Sequence, residues 1–272
     1  MAAPPMPPPP YASYSIAGQV ALITGASAGI GEACAWRLAE AGCKLVLIAR
    51  REARLAALQH AIQHHYPGVA VHTVAMDVQD LEAIAALPQQ LPDEFKAVDI
   101  LLPNAGLALG VAPVHELDMG DAATMVNTNV LSVMALVRAF TPGMVARNRG
   151  HLIFMSSIAA HEAYSGGSAY TATKHAVDAF ANSARHDLVG TDIRVTSISP
   201  GAIKTEFSVV RFKGDEGKAD AVYEGIRPLL ASDIADNVLY AATRPPHVQV
   251  AEILVFATYQ CSAKGLARVL SQ

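Results

Sequence analysis

Val20-Ala21-Leu22-Ile23-Thr24 runs straight into Gly25-Ala26-Ser27-Ala28-Gly29-Ile30-Gly31, after which Ile30, Ala33, Cys34, Leu38 and Ala41 recur at helical spacing. A five-residue apolar run, a glycine-rich turn and an amphipathic stretch read as strand, tight turn and helix. The same alternation continues outward. Further apolar runs lie at 44–49, 69–76, 100–103, 151–156, 194–199 and 252–256, and Leu55, Leu58 and Ile62 mark a helical face after the second. Strands apolar on both sides and separated by helices imply a parallel sheet covered on both faces. The reading is a single α/β domain, doubly wound, with about seven parallel strands and right-handed crossovers.

The chain has 272 residues, enough for one large domain with a substantial core, and the pattern spans 18–272 without a linker. Residues 1–17 begin with a Pro- and Ala-rich stretch lacking a basic residue or an apolar h-region, and read as a disordered or polyproline-like tail. A net charge of −4 with scattered basic residues gives no footprint for nucleic acid or anionic lipid. No uninterrupted apolar run approaches the roughly 20 residues of a membrane span. Cys34, Cys43 and Cys261 form no C-x-x-C pair, which suits a reducing compartment, with the cytoplasm expected. His64-His65 reads as an exposed helical pair, and no metal site is expected. One segment departs from the alternation. Residues 203–230 follow the sixth strand, carry Lys204, Glu206, Arg211, Lys213, Asp215, Glu216, Lys218 and Asp220, and are expected to form a lid at the carboxyl edge of the sheet.

The turn at 25–31 suits a pyrophosphate. Gly25 permits the sharp exit from the strand, Gly29 and Gly31 let the backbone approach the anion, and Ser27, Ile30 and the first helical amides face it. Cys34 stands where a strict G-x-G-x-x-G would have its third glycine. Gly25-x-Ser27-x-Gly29 also spells a nucleophile elbow, but it follows the first strand and no Asp and His partners stand out downstream. An NAD site carries an acid about 20 residues on. Here that place falls to Ala49, followed by Arg50 and Arg51. With no carboxylate to repel a 2′-phosphate and a guanidinium to pair with it, NADP is the expected cofactor. Farther along, Tyr170 and Lys174 are four apart at the start of a helical stretch, on one face. An ammonium beside a phenol favours the phenolate and makes it a usable base.

Thr24–Gly31, Asn104-Ala105-Gly106, Asn127-Thr128-Asn129-Val130, Ser156-Ser157-Ile158-Ala159, Tyr170 to Lys174, and Pro200-Gly201 occur in the order seen in the short-chain dehydrogenase/reductase superfamily, and Ser157 precedes Tyr170 by the family's interval. The chain resembles that superfamily, a Rossmann fold, over about 20–259. The resemblance implies that Tyr170 is the general acid/base, Lys174 tunes it and holds the nicotinamide ribose, Ser157 bonds the substrate oxygen, and Asn129 holds a water toward Lys174. It places Asn104, Ala105 and Gly106 over the adenine ribose, Asp77 and Val78 at the adenine, and Pro200, Gly201, Ile203 and Thr205 around the nicotinamide. Pro103 departs from the family, which usually has Asn there. It also implies a homo-oligomer, dimer or tetramer.

Thr205-Glu206-Phe207-Ser208, Val210-Arg211-Phe212-Lys213, Lys218-Ala219-Asp220 and Arg244-Pro245-Pro246-His247 resemble a narrower group, the NADP-dependent 3-hydroxy acid dehydrogenases. That likeness implies L-serine, L-allo-threonine or 3-hydroxyisobutyrate as substrate class, with Arg211 expected at the carboxylate and Lys204 and Lys213 as competitors. A 3-oxoacyl or general carbonyl reductase shares all the core motifs. A non-catalytic NADP-binding protein would have no need of Ser157, Tyr170 and Lys174 together.

Overall fold

The computed structural model describes residues 13–269. Seven strands form one parallel sheet: β1 (Val20–Thr24), β2 (Lys44–Ala49), β3 (Val71–Ala75), β4 (Val98–Leu102), β5 (Gly150–Met155), β6 (Ile193–Pro200) and β7 (Glu252–Val255). Their order is β3-β2-β1-β4-β5-β6-β7, so the winding reverses between β1 and β4. At such a reversal two strands leave their carboxyl ends toward diverging loops, and a crevice opens.

The alternation of side chains along each strand builds two cores. On one face, Leu45 and Leu47 of β2 pack with α1 (Gly29–Glu40), α2 (Glu52–His65) and the last long helix (Ala231–Ala242), through Leu38, Leu55, Ile62 and Val238. On the other, Val46 and Ile48 join α3 (Leu81–Gln90), the helix Ser132–Arg147 and the helix Ser168–Asp187, through Ile84, Leu136, Phe140 and Val177. Each side chain removed from water in this way stabilises the layer arrangement by roughly 1.5–3 kcal/mol.

Three sequence expectations shift. The fourth strand starts at Val98, not at residue 100, because Asp99 is buried and compensated. Its carboxylate accepts from the Val20 amide at 3.1 Å and from Arg149 at 2.6 Å. The expected tail boundary at 17 also moves: Ile16 is buried, and the Tyr14 amide donates to the Thr243 carbonyl at 2.9 Å. The Pro-rich residues 1–12 lie outside the described ones. Third, α4 (Met119–Val126) passes through a π turn, Asn127–Leu131, into α5 (Ser132–Arg147), and this continuous helix is long and apolar enough, by length and composition, to cross a membrane. No apolar run in the sequence announces it, because Asp121, Arg138 and Pro142 interrupt the stretch. Its inner face is the core layer just described.

Candidate active site

A continuous cleft of about 700 Å³ opens at the β1/β4 reversal and runs along the carboxyl ends of the strands. It lies within the range of small-molecule and cofactor sites.

Its phosphate-sized end is made of backbone. Gly25 and Gly29 have φ of 67° and 58°, the left-handed region that only glycine adopts freely. A Cβ on Gly31 would meet the Asn104 amide nitrogen at 2.6 Å and the Gly25 carbonyl carbon at 2.8 Å, so strand exit and helix start pack with no room for a side chain. Ala28 caps α1 without a side-chain hydrogen bond. The first amides of α1 are thus not taken by a protein cap, and they fit an anion at a helix N-terminus. Thr24 ties this turn to the next: its hydroxyl accepts from the Asn104 and Ala105 amides at 3.1 and 3.0 Å, and its carbonyl accepts from the Asn104 side chain at 2.9 Å. Asn104, Ala105 and Gly106 therefore hold their place beside Pro103, which is itself buried.

At the far end, Arg50 is exposed and stands 3.9 Å from Asp77, while Val78 is buried below. Arg51 turns back to the glycine-rich loop. Its Nε donates to the Ser27 hydroxyl at 3.1 Å and its Nη1 to Glu206 at 2.8 Å; Arg54 donates to the other Glu206 oxygen at 2.6 Å. These guanidinium groups hold the Glu206 carboxyl below its ordinary range. The sequence reading missed Arg54 and took Glu206 only as a charge of the lid; the two lie 152 residues apart.

The other end gathers Ser157, Tyr170 and Lys174, all buried. Ser157 ends the strand-to-helix connection after β5, and Tyr170 and Lys174 share one face of α6 (Ser168–Asp187). Burial pushes Tyr170 up to about 12, and Ser157 beside it, whose hydroxyl accepts from the Ala159 amide at 3.1 Å, opposes the rise. Lys174 makes no hydrogen bond to the phenol among the described residues, although the two share one helix face. Its ammonium donates to the Met155 carbonyl at 2.8 Å, lies 5.9 Å from the Tyr170 ring centroid, and is itself brought down to about 8 by burial. Arg211 is the cation that acts on the phenol, 5.8 Å from the ring centroid.

Asn129, in the π turn, spends its side chain on neighbours: Oδ1 accepts from the Leu107 amide at 2.9 Å, and Nδ2 donates to the Leu107 carbonyl and to Thr173. Pro200, Gly201, Ile203 and Thr205 line the cleft beyond β6, and the Thr205 methyl faces Gly29. Residues 203–230 contribute one wall through the stretch from Ile203 to Phe212, which includes α7 (Phe207–Arg211), and through Val222 and Tyr223, while α8 (Glu216–Ala221) stands outside the lining. Of the three cations expected to compete there, Lys204 pairs with Asp220 and Lys213 with Asp121, while Arg211 meets only neutral acceptors. Tyr164 and the 263–268 stretch complete the wall; neither drew attention in the sequence, since no motif marks them.

Comparison with known proteins agrees with this geometry. The short chain dehydrogenase family matches residues 19–215. An NADP-dependent 3-hydroxy acid dehydrogenase of Schizosaccharomyces pombe is 43% identical over 252 residues, 92% of this chain and 97% of that protein. A sulfoacetaldehyde reductase of Chromohalobacter salexigens is 39% identical over 242 residues, 89% of this chain and 95% of that one. Among solved structures, the closed form of a serine dehydrogenase complexed with NADP+ superposes with a TM-score of 0.86 at 39% identity, covering 93% of this chain and all of that one. The match over most of the chain, in sequence and in fold, makes this protein a member of the short-chain dehydrogenase family.

Proposed function

We propose that this chain transfers a hydride between NADP(H) and a small 3-hydroxy acid of the L-serine, L-allo-threonine or 3-hydroxyisobutyrate class. One observation carries the reading: the cleft that has Ala49, Arg50 and Arg51 where β2 would otherwise end on an acid is the same cleft that buries Ser157, Tyr170 and Lys174. The names of the relatives support the same cofactor and substrate class.

Each residue has a task. The α1 amides, with Gly25, Gly29 and Gly31, would hold the pyrophosphate, and Arg50 and Arg51 the 2′-phosphate. Asn104 to Gly106 would cover the adenine ribose, and Lys174 would hold the nicotinamide ribose. The bound nicotinamide supplies the hydride chemistry and, when oxidised, a positive charge beside the phenol. Tyr170 accepts the proton of the substrate hydroxyl in oxidation and returns it in reduction, and Ser157 donates to the same oxygen. Because the Asn129 side chain is committed, a water leading from Lys174 to solvent would be held by the main chain of the π turn. Arg211 would face the substrate carboxylate.

Three further parts of the reading concern the setting. The 203–230 wall acts as the lid of the cleft. Unpaired cysteines support a reducing, cytoplasmic setting. Exposed Met119, Val126, Leu131 and Val145 along the α4–α5 helix support a homo-oligomer, dimer or tetramer. The deciding experiment follows NADP+ reduction over a panel of 3-hydroxy acids and neutral alcohols. Acids turned over at least tenfold better than neutral alcohols of equal size are expected; the reverse order would assign the chain to the general carbonyl reductases.

A further inference from the structure

The cleft wall around Tyr164 carries two positive charges where one would be expected. Arg211 lies 5.6 Å from the centroid of the Tyr164 ring and Lys264 lies 4.6 Å from it. Arg211 reaches over Tyr170 as well, at 5.8 Å. Like charges held on one ring oppose each other, and such an arrangement is retained only if something negative compensates it.

No carboxylate does so among the described residues. Arg211 spends Nε on the Gly110 carbonyl at 3.3 Å, Nη1 on the Tyr164 hydroxyl at 3.1 Å and Nη2 on the Gly166 carbonyl at 3.4 Å, all neutral acceptors. Lys264 forms no ion pair among the described residues, and partial desolvation, then Arg211, holds its ammonium below the usual lysine range. The Glu162 carboxylate accepts from the Ala263 amide at 2.8 Å and forms no ion pair with Lys264 or Arg211 among the described residues.

The position of Lys264 is enforced. It sits in the 261–265 turn, closed by the Cys261 amide donating to the Gly265 carbonyl at 2.9 Å and the Gly265 amide to the Ser262 hydroxyl at 2.7 Å. Buried Gln260 pins the turn to the end of β6, accepting from the Ala202 amide at 2.8 Å and donating to the Ser262 carbonyl at 3.1 Å. A lysine on a free tail would cover solvent at random; this one is aimed at the cleft.

We infer that Lys264 is a specificity residue that, together with Arg211, binds a compact anionic end group of the substrate, a carboxylate or a sulfonate, across from Ser157 and Tyr170. The inference rests on the hydroxy-acid reading and adds the residue that selects the charge. Arg211 is locked by three neutral contacts and orients the anion; Lys264, with free donors, supplies the more adaptable ion pair. Since Arg211 spans both rings, the anion lies close to the phenol, and the substrate is only a few carbons long.

The test compares three alcohols of similar size: 3-hydroxyisobutyrate, its methyl ester and 2-hydroxyethanesulfonate, in wild type, Lys264→Gln and Lys264→Arg. In Lys264→Gln the acid-to-ester ratio of kcat/KM is expected to fall at least tenfold, through KM on the acid, and Lys264→Arg restores most of it. The sulfonate-to-ester ratio falling alongside identifies a general anion site; a fall for the acid alone restricts the site to carboxylates. A ratio that moves less than tenfold in Lys264→Gln overturns the inference. Wild type preferring the ester to both anions overturns the hydroxy-acid reading itself, whereas a wild-type preference for anions that survives Lys264→Gln overturns only the role of Lys264. Calorimetric titration of the NADP+-loaded enzyme with isobutyrate gives a readout free of turnover, with at least tenfold weaker binding expected in Lys264→Gln.

Discussion

Lys174 donates its ammonium to the main-chain carbonyl of Met155 at 2.8 Å rather than to the phenol of Tyr170, although the two side chains share one helix face. The protein alone therefore leaves a buried phenol with its pKa raised, and a bound cofactor completes the electrostatics. That bond holds Lys174 inside the cleft, at the cost of burying a charge.

That cost is visible in stability. The folded-state pKa of Lys174 is about 8, below the 10.5 of an unfolded lysine, so between these values the unfolded chain binds more protons and stability rises with pH. Lys174→Met removes this dependence. The melting temperature of wild type minus that of Lys174→Met is expected to increase from pH 7.5 to pH 10, read by thermal melts in matched buffers. A flat difference would show that the ammonium is not desolvated.

Tyr170→Phe deletes the hydroxyl and little else. Turnover is expected to fall by more than the roughly 10²–10⁴-fold of general catalysis, because Lys174, the other buried proton carrier of the site, is held by the Met155 carbonyl. NADP+ affinity, measured by quenching of protein fluorescence, should stay within a few-fold. Substantial remaining turnover would move the proton to another group.

The arginines after β2 divide their work. Arg50 is exposed and pairs only loosely with Asp77, at 3.9 Å, so Arg50→Ala is expected to weaken NADP+ by more than tenfold while barely changing NAD+, in line with the roughly 1.5–3 kcal/mol of a charge-assisted bond. Adding Ala49→Asp should invert the preference. Glu206 holds Arg51 and Arg54 with the same atoms that a phosphate would use. Glu206→Gln is therefore expected to tighten NADP+ at least threefold over NAD+ in calorimetric titrations; equal changes for both would separate Glu206 from the phosphate site.

Arg211→Leu is expected to raise KM for L-serine or 3-hydroxyisobutyrate at least tenfold, and much less for a neutral alcohol. It also removes a positive charge that lowers the Tyr170 pKa, so the ascending limb of the pH profile for oxidation, where the phenol must lose its proton, should move to higher pH. Parallel losses on charged and neutral substrates would instead report a displaced α7, whose last residue is tied through its carbonyl to the Gly110 amide.

Much of this was legible from local pattern. Alternating apolar runs and helical periods specify a covered parallel sheet, because burial on both faces leaves no other arrangement of such strands. The turn at 25–31 specifies an anion cradle because positive φ and close approach admit only glycine. Tyr170 and Lys174 share a face because helix geometry fixes their spacing. Tertiary structure alone decided the rest. Glu206 reaches Arg51 across 155 residues, and Lys264 meets Tyr164 across a turn with no periodicity of its own. The phenol's pKa is likewise raised by burial, which only the packing of the cleft decides, and Lys174 bonds the Met155 carbonyl rather than the phenol four residues away. Electrostatic energies depend on distance in space and on desolvation, and neither is a function of separation along the chain.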